Sequence, residues 1–175
     1  IQTNRNEWRS VILRYFNPIG AHHSGIIGES PRNFGNNIMP IINSVALRKR
    51  EHLSIFGNDW DTIDGTPIRD YIHIEDLADG HVKALEHLLK KKSKQISLNL
   101  GTGNGSSVLQ LIKVFEEVNN INILYRFSPR RDGDIAYSVA DNSLAKKVLN
   151  WQPKKNLHDM CKDSWNWVSK NPNGY

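Results

Sequence analysis

The chain is poor in cysteine, has no long apolar run and no internal repeat, and carries none of the short signatures of the common hydrolases. Its one cysteine, Cys161, excludes an internal disulfide and makes a reducing cytoplasm the expected setting. No apolar stretch approaches the roughly 20 residues that a membrane-spanning helix needs. The first residues, Ile-Gln-Thr-Asn-Arg-Asn-Glu-Trp, lack the apolar core of a secretory signal. There is no Gly-x-Ser-x-Gly elbow to expose a serine nucleophile, and no His-Glu-x-x-His pair to hold zinc. His22 and His23 are adjacent in a loop rather than spaced along one helix face, so no metal site is expected from them. The acidic stretch Asp59, Asp61, Asp64, Gly65 also fails as a calcium loop. Counted from Asp59, position 5 is Ile63 and position 6 is Asp64, where an EF-hand needs an oxygen ligand and then glycine.

What remains is an ordinary globular composition. At 175 residues, with 38% hydrophobic and 23% charged, the chain is long enough to bury one real core. Its net charge of +5 invites a nucleic-acid reading. Much of that charge lies in Arg48-Lys49-Arg50, residues 90–94, Lys146-Lys147 and Lys154-Lys155. These cations fall near expected helix ends and turns, where they complement the helix dipole and stay solvated. They are not interleaved with aromatics as a stacking platform would be. Neither a nucleic-acid nor a membrane partner is expected.

Hydrophobic periodicity gives an alternating pattern of elements. Residues 11–16 read as a buried strand closed by Asn17-Pro18, and residues 17–36 as a long loop. Such a loop inside a compact domain is usually functional. Residues 37–50 have helical spacing through Ile38, Ile41, Ile42, Val45 and Ala46. Residues 53–56 form a strand, and residues 75–89 repeat the helical pattern through Leu77, Ala78, Val82, Leu85 and Leu88-Leu89. Then come a strand at 96–100, a helix at 108–118, a strand at 121–127 and helices at 142–149 and 157–168. Strands alternating with helices define an α/β class, and no two-domain boundary is evident.

Two motifs carry chemistry. The cluster Gly101-Thr-Gly103-Asn-Gly105 follows a strand and precedes a helix, but its third glycine comes one residue early for a dinucleotide fingerprint. A tight turn with N–H groups at a helix start is the reading it supports. The segment from Ser54 to His73 breaks an apolar strand at Gly57 and ends in Arg69-Asp70-Tyr71. With Arg130-Arg131-Asp-Gly-Asp134 it supplies two arginines, whose forked donors suit a diphosphate. Spacing alone leaves two readings open: convergence of Arg69 and Arg131 on one anion, or surface pairing of each with a neighbouring aspartate.

The whole chain resembles the C-terminal part of UDP-glucose 4-epimerases, which are extended short-chain dehydrogenase/reductases. The resemblance is carried by Leu13-Arg-Tyr-Phe-Asn-Pro-Ile-Gly-Ala-His22, Asn36-Asn-Ile-Met-Pro40, Ile55-Phe-Gly-Asn58, Asp64-Gly-Thr-Pro-Ile-Arg-Asp-Tyr-Ile-His73, Asp76-Leu-Ala-Asp-Gly-His81, Asn99-Leu-Gly-Thr-Gly103, Pro129-Arg-Arg-Asp-Gly-Asp134 and the tail from Trp165-Asn-Trp167 to Tyr175. It implies the end of a Rossmann domain plus a smaller α/β substrate domain, with residues 1–175 as the C-terminal substrate-binding portion. It also implies NAD as cofactor, a UDP-hexose as substrate, galactose metabolism as the setting, and allows a homodimer of the full-length enzyme. Tyr15 and Phe16 would then border the nicotinamide, Asn17 would contact the sugar diphosphate, and Asn37 and Ile38 would lie along the substrate. Ser54, Ile55 and Phe56 would line the uracil pocket. Arg69 and Arg131 would clamp the diphosphate, with Tyr71 and Val108 beside them and Asp134 on the ribose. At the position where some members carry a bulky gate tyrosine stands Ser138, which would admit N-acetyl sugars; a one-residue shift would place Tyr137 there instead.

The same resemblance shows what chemistry is missing. These enzymes pass hydride from C4 of the sugar to NAD and back, with a tyrosine base whose pKa is lowered by a lysine four residues later. Here Tyr15 is followed at that spacing by Ile19, Tyr71 by Glu75, Tyr125 by Pro129 and Tyr137 by Asp141. No catalytic residue is assigned, the NAD-binding portion is expected to lie outside this chain, and the chain alone is expected to be inactive. Two alternatives stand beside this: a short, non-catalytic nucleotide-sugar-binding module, whose residues 11–16 would leave an apolar sheet edge, and a related nucleotide-sugar epimerase or 4,6-dehydratase. The loop at 58–66 and the Trp-x-Trp tail favour the UDP-glucose enzyme.

Overall fold

The computed structural model describes residues 9–31, 37–90 and 95–175. Residues 1–8, Asn36 of the motif before Pro40, and Lys91, Lys92 and Lys94 of the basic run lie outside the described residues.

The strand pairs are short and mostly parallel, as crossover connections through helices require. β1 (Val11–Tyr15) pairs with β6 (Ile96–Leu100), with α2 (Ile74–Lys90) between them in the chain. β2 (Asn17–Ile19) pairs with β5 (Tyr71–His73), and β3 (Leu53–Phe56) with β8 (Tyr125–Ser128). β4 (Ile68–Arg69) sits between β7 (Ser106–Ser107), antiparallel, and β9 (Tyr137–Ser138), parallel. The remaining helices are α1 (Ile38–Ala46), α3 (Val108–Asn119), α4 (Ser143–Leu149) and α5 (Leu157–Lys170).

Two apolar clusters hold these elements. One joins α1, β3, α3 and α5 through Met39, Ile42, Ile55, Leu111, Phe115 and Met160. Cys161 belongs to it as a buried free thiol, which burial pushes up to about 12, so it packs as an inert apolar group. The other joins β6, α2 and α4 through Leu77, Ala84, Leu98, Leu100, Leu149 and Trp151. Gly80 of α2 belongs to this contact, since a Cβ there would stand 2.8 Å from Leu100 Cδ1.

Helix ends follow local chemistry. Ser107 and Gln110 form a reciprocal capping box at α3, and Asn156 and Asp159 do the same at α5. Glu75 and Asp76 open α2, and His87 and Lys90 close it, matching the helix dipole.

Several expectations change. The helix expected to reach residue 50 stops at Ala46 because Arg48 turns left-handed (φ 58°). Lys49 N then donates to Ser44 O and Arg48 N to Val45 O, the Schellman pattern. The strand expected from residue 121 begins only at Tyr125. The left-handed Asn120 ends α3, and Ile121 N and Ile123 N donate to Glu116 instead of entering a ladder. The loop after residue 16 contains β2, because Asn17–Ile19 lies in register with Tyr71–His73. β1 is less covered than a buried strand: Ile12 is 42% and Tyr15 53% exposed. It pairs with β6 alone among the described residues. α2 carries apolar residues on two faces, burying Leu77, Gly80 and Ala84 while Val82, Leu85 and Leu89 stay exposed.

At the junction of β4 and β5, Asp70 is fully buried. Its Oδ1 accepts from Thr102 N (2.8 Å) and Thr102 Oγ1 (2.6 Å). Its Oδ2 accepts from Gly103 N (2.9 Å) and Ala140 N (3.1 Å). Its own backbone N donates to Ser138 O and its carbonyl accepts from Asn17 N. The glycine turn is therefore built around Asp70, and Gly101 is required because a Cβ would stand 2.6 Å from Asp70 Oδ2. Asp64 acts similarly on the loop before β4, accepting from Thr66 N (2.9 Å), Thr66 Oγ1 (2.7 Å) and Ser107 Oγ. Burial alone would raise its pKa, but the bonds from Ser107 and Thr66 prevail and hold the carboxyl below the ordinary aspartate value.

Replacing Asp70 by Ala leaves buried donors unpaired and should cost about 3 kcal/mol or more in urea unfolding; a loss under about 0.5 kcal/mol would contradict the assignment. Asp64 is ionised in the folded chain at pH values where it protonates in the unfolded one. Its stabilisation is therefore full above the unfolded pKa and lost as pH falls through the folded pKa. The stability gap between wild type and Asp64→Asn should be widest near pH 7 and shrink below about pH 4; a pH-independent gap would contradict it.

Candidate functional site

A cleft of about 430 Å³ opens between β3, the start of α1, the β4–β5 junction and the segment after β8. Its floor follows from strand alternation. Leu53 and Ile55 of β3 are buried, and Ser54 and Phe56 alternate with them, half-buried. Asn17, at the start of β2, and Asn37 and Ile38, at the N-terminus of α1, line the opposite side.

The two arginines meet here. Arg69 is positioned by its own main chain, since Nη1 donates to Ile68 O (2.9 Å) and Ile135 O (2.8 Å). Its Nη2 then lies 3.7 Å from Asp134 Oδ1. Arg131 reaches the other oxygen, with Nε 3.2 Å from Asp134 Oδ2, and its guanidinium stacks over Phe56 at 4.2 Å from the ring centroid. Arg131 pairs with its neighbour Asp134, Arg69 pairs with that same aspartate rather than with Asp70, and both line one cleft.

Arg130 is engaged elsewhere. It bonds Asp59 through Nε (2.8 Å) and stacks over Trp60 at 4.0 Å. Trp60 in turn donates from Nε1 to Phe56 O (3.1 Å), which ties the loop at 58–66 to the end of β3. Of the two adjacent arginines, only Arg131 lines the cleft.

Tyr71 is 3% exposed and lines the cleft; burial raises its phenol pKa well above the usual tyrosine value, against the opposing charge of Arg69. It is a neutral wall, not a base. Val108 and Phe16 also line the cleft. Two residues lie outside its walls. Tyr15 is at the end of β1 with its ring 5.9 Å from that of His81. Ser138 is in β9 opposite Arg69, where its carbonyl accepts from Asp70 N.

Sequence reasoning passed over Arg50, a third arginine on the cleft wall, together with Pro18, Ile41 and Pro67. A basic triplet past a helix end reads as solvated, and only the left-handed turn at Arg48 brings Arg50 to the cleft. The described lining contains three arginines and one carboxylate, Asp134, an excess of positive charge that suits an anion. In the turn at 101–105, Thr102 N and Gly103 N both donate to Asp70.

Known proteins share this sequence and architecture. A model of the NAD dependent epimerase/dehydratase family matches residues 2–101. The UDP-glucose 4-epimerase of Bacillus subtilis (strain 168) is 54% identical over 175 residues, all of this chain and 51% of that protein. That of Dictyostelium discoideum is 51% identical over 169 residues, 97% of this chain and 49% of that protein. The chain spans about half the length of the curated relatives it matches. Among solved structures, the Bifidobacterium longum UDP-glucose 4-epimerase in complex with NAD+ and UDP superposes with a TM-score of 0.94 at 45% identity, covering 99% of this chain and 51% of that one. The Stenotrophomonas maltophila epimerase with bound NAD and formylated UDP-arabinopyranose gives 0.93 at 46% identity, covering 97% and 50%. The fold is that of the extended short-chain dehydrogenase/reductases, and the chain belongs to the NAD dependent epimerase/dehydratase family, homologous along its length to UDP-glucose 4-epimerases.

Proposed function

We propose that this chain is the substrate-binding portion of a UDP-glucose 4-epimerase and that its cleft holds UDP-glucose or UDP-galactose. The observation that carries this is the meeting of Arg69 and Arg131 at Asp134 above the Phe56 ring. The diphosphate takes the space between the two guanidinium groups, where charge-assisted bonds are about twice as strong as neutral ones. Asp134 is then released to accept from ribose. Phe56 and the β3 backbone at Ser54 and Ile55 receive the uracil, a planar base on an apolar face. Asn17, Asn37 and Ile38 flank the sugar diphosphate beside the walls of Tyr71 and Val108.

NAD supplies the hydride acceptor and donor at C4 when bound. Among the residues described, Tyr15 and Phe16 are the ones suited to border its ring, and the turn at 101–105 is closed to its pyrophosphate by Asp70. This chain therefore binds and orients the sugar nucleotide while an NAD-binding portion completes the site. Exposed Ile12 and Tyr15 on β1 and Val82, Leu85 and Leu89 on α2 offer apolar surface for that portion to cover. The reading carries with it galactose metabolism and a cytoplasmic setting; no described helix is long and apolar enough to cross a membrane.

Acceptance of N-acetyl sugars is the second reading. Ser138 is small, and the Campylobacter jejuni UDP-Glc/GlcNAc 4-epimerase shares the fold at 32% identity with a TM-score of 0.78 over 97% of this chain.

Calorimetric titration tests the clamp. Arg69→Gln and Arg131→Gln should each weaken UDP about tenfold or more, the loss of about 1.5 to 3 kcal/mol from a bond to a charged group, and leave uridine nearly unchanged. Equal loss for both ligands would reject the diphosphate assignment. UDP-GlcNAc should displace UDP-glucose, and failure to compete would remove the second reading. The purified chain with NAD should not turn over UDP-galactose; turnover would show that it carries its own catalytic groups.

A further inference from the structure

Outside the cleft, the loop after β2 and the first turn of α2 gather three side chains of metal-ligating type. His22 Nε2 lies 3.4 Å and His23 Nδ1 3.0 Å from Glu75 Oε1, and the three ligand atoms all fall within 4.8 Å of one another. Tetrahedral zinc with bonds of about 2.0 to 2.1 Å holds its ligand atoms about 3.3 Å apart, close to both separations. Two adjacent loop histidines, not spaced along one helix face, give no expectation of a site; the third group, Glu75, comes from 52 residues beyond His23.

Neighbouring contacts hold two of the three side chains. His22 Nδ1 is 2.8 Å from Ser24 Oγ and 3.3 Å from Ser24 N, contacts that hold the ring with Nε2 toward Glu75. Glu75 Oε2 is 3.3 Å from Lys155 Nζ, which anchors the carboxylate while Oε1 faces the imidazoles. The loop itself is braced. His22 N donates to Ile27 O and Gly25 N to His22 O, while Asn166 Nδ2 and Lys170 Nζ of α5 donate to His23 O and Ser24 O. The local charge favours a cation. Glu75 and Asp163 are two carboxylates around one ammonium, Lys155. His73 is fully buried, and its Nδ1 accepts from Glu75 N (3.0 Å). Its Nε2 lies 3.2 Å from Asp163 Oδ2, so both ring nitrogens are engaged and the neighbouring group of His73, Glu75 and Asp163 is a buried polar network.

We propose that His22, His23 and Glu75 bind one divalent cation of the imidazole-preferring class, with zinc as the probe and solvent in the remaining position. The side chains of His22 and His23 are 41% and 65% exposed, which gives the ion an entry path. Once bound, it fastens the loop at 22–27 to α2.

The test is calorimetric titration of the tag-free chain with zinc chloride, paralleled by cobalt(II) absorption in the visible. A single saturable site with an intense tetrahedral cobalt band is expected. His23→Ala and Glu75→Gln should each weaken zinc at least about tenfold, and His158→Ala, an exposed histidine elsewhere, should leave it unchanged. His23→Ala removes an exposed side chain, so it decides the matter even if Glu75→Gln perturbs folding. No saturable binding, or binding that survives His23→Ala, would overturn the proposal.

Discussion

One buried carboxylate organises the functional half of this molecule. Asp70 stands between the strand that presents Arg69 and the strand that presents Tyr71. Its oxygens take four donors from the turn at 102–103 and from Ala140. Its main chain joins β2 on one side and β9 on the other. Burying a charge is costly unless its lone pairs are filled, and here the filling comes from segments far apart in sequence. That satisfaction draws β2, β4, β5, β9 and the strand-to-helix turn together. The cleft at Asn17, Arg69 and Tyr71 is a consequence of it.

The second constraint is the charge balance of the cleft. Arg69 has little freedom, since two carbonyls hold one end of its guanidinium. Arg131 lies flat on Phe56. Asp134 bridges the two, and its carboxylate prevents two fixed cations from facing each other uncompensated. On the proposed reading, a diphosphate entering the cleft would compete with that carboxylate for the same donors, so that binding would be an exchange of anions at a preorganised arginine pair. Phe56 does two things at once, steadying Arg131 and offering an apolar face at the end of β3.

Much of this was legible in the sequence. The alternating elements and the helices α1 and α3 follow from periodicity, whereas spacing alone leaves the meeting of Arg69 and Arg131 open. The spacing of Gly101, Gly103 and Gly105 points to a tight turn before a helix, and in space that turn is closed around Asp70. Other features depend on tertiary contacts that no local pattern records. The stop at Ala46 rests on a left-handed arginine, where glycine is the usual signal. The late start of β8 rests on Glu116 capturing two backbone donors. Arg50 and the grouping of Glu75 with His22 and His23 arise only when distant segments meet. The exposure of Ile12, Tyr15 and the outer stripe of α2 shows the limit of periodicity, which marks a residue as apolar without saying what covers it.

A crystal structure of the chain with UDP tests the central claim most directly. The account predicts the diphosphate between Arg69 and Arg131, the uracil beside Phe56 and Ser54, and Asp134 turned from the arginines toward the ribose. UDP bound elsewhere, or an unbroken bridge from Asp134 to both arginines in the complex, would contradict it.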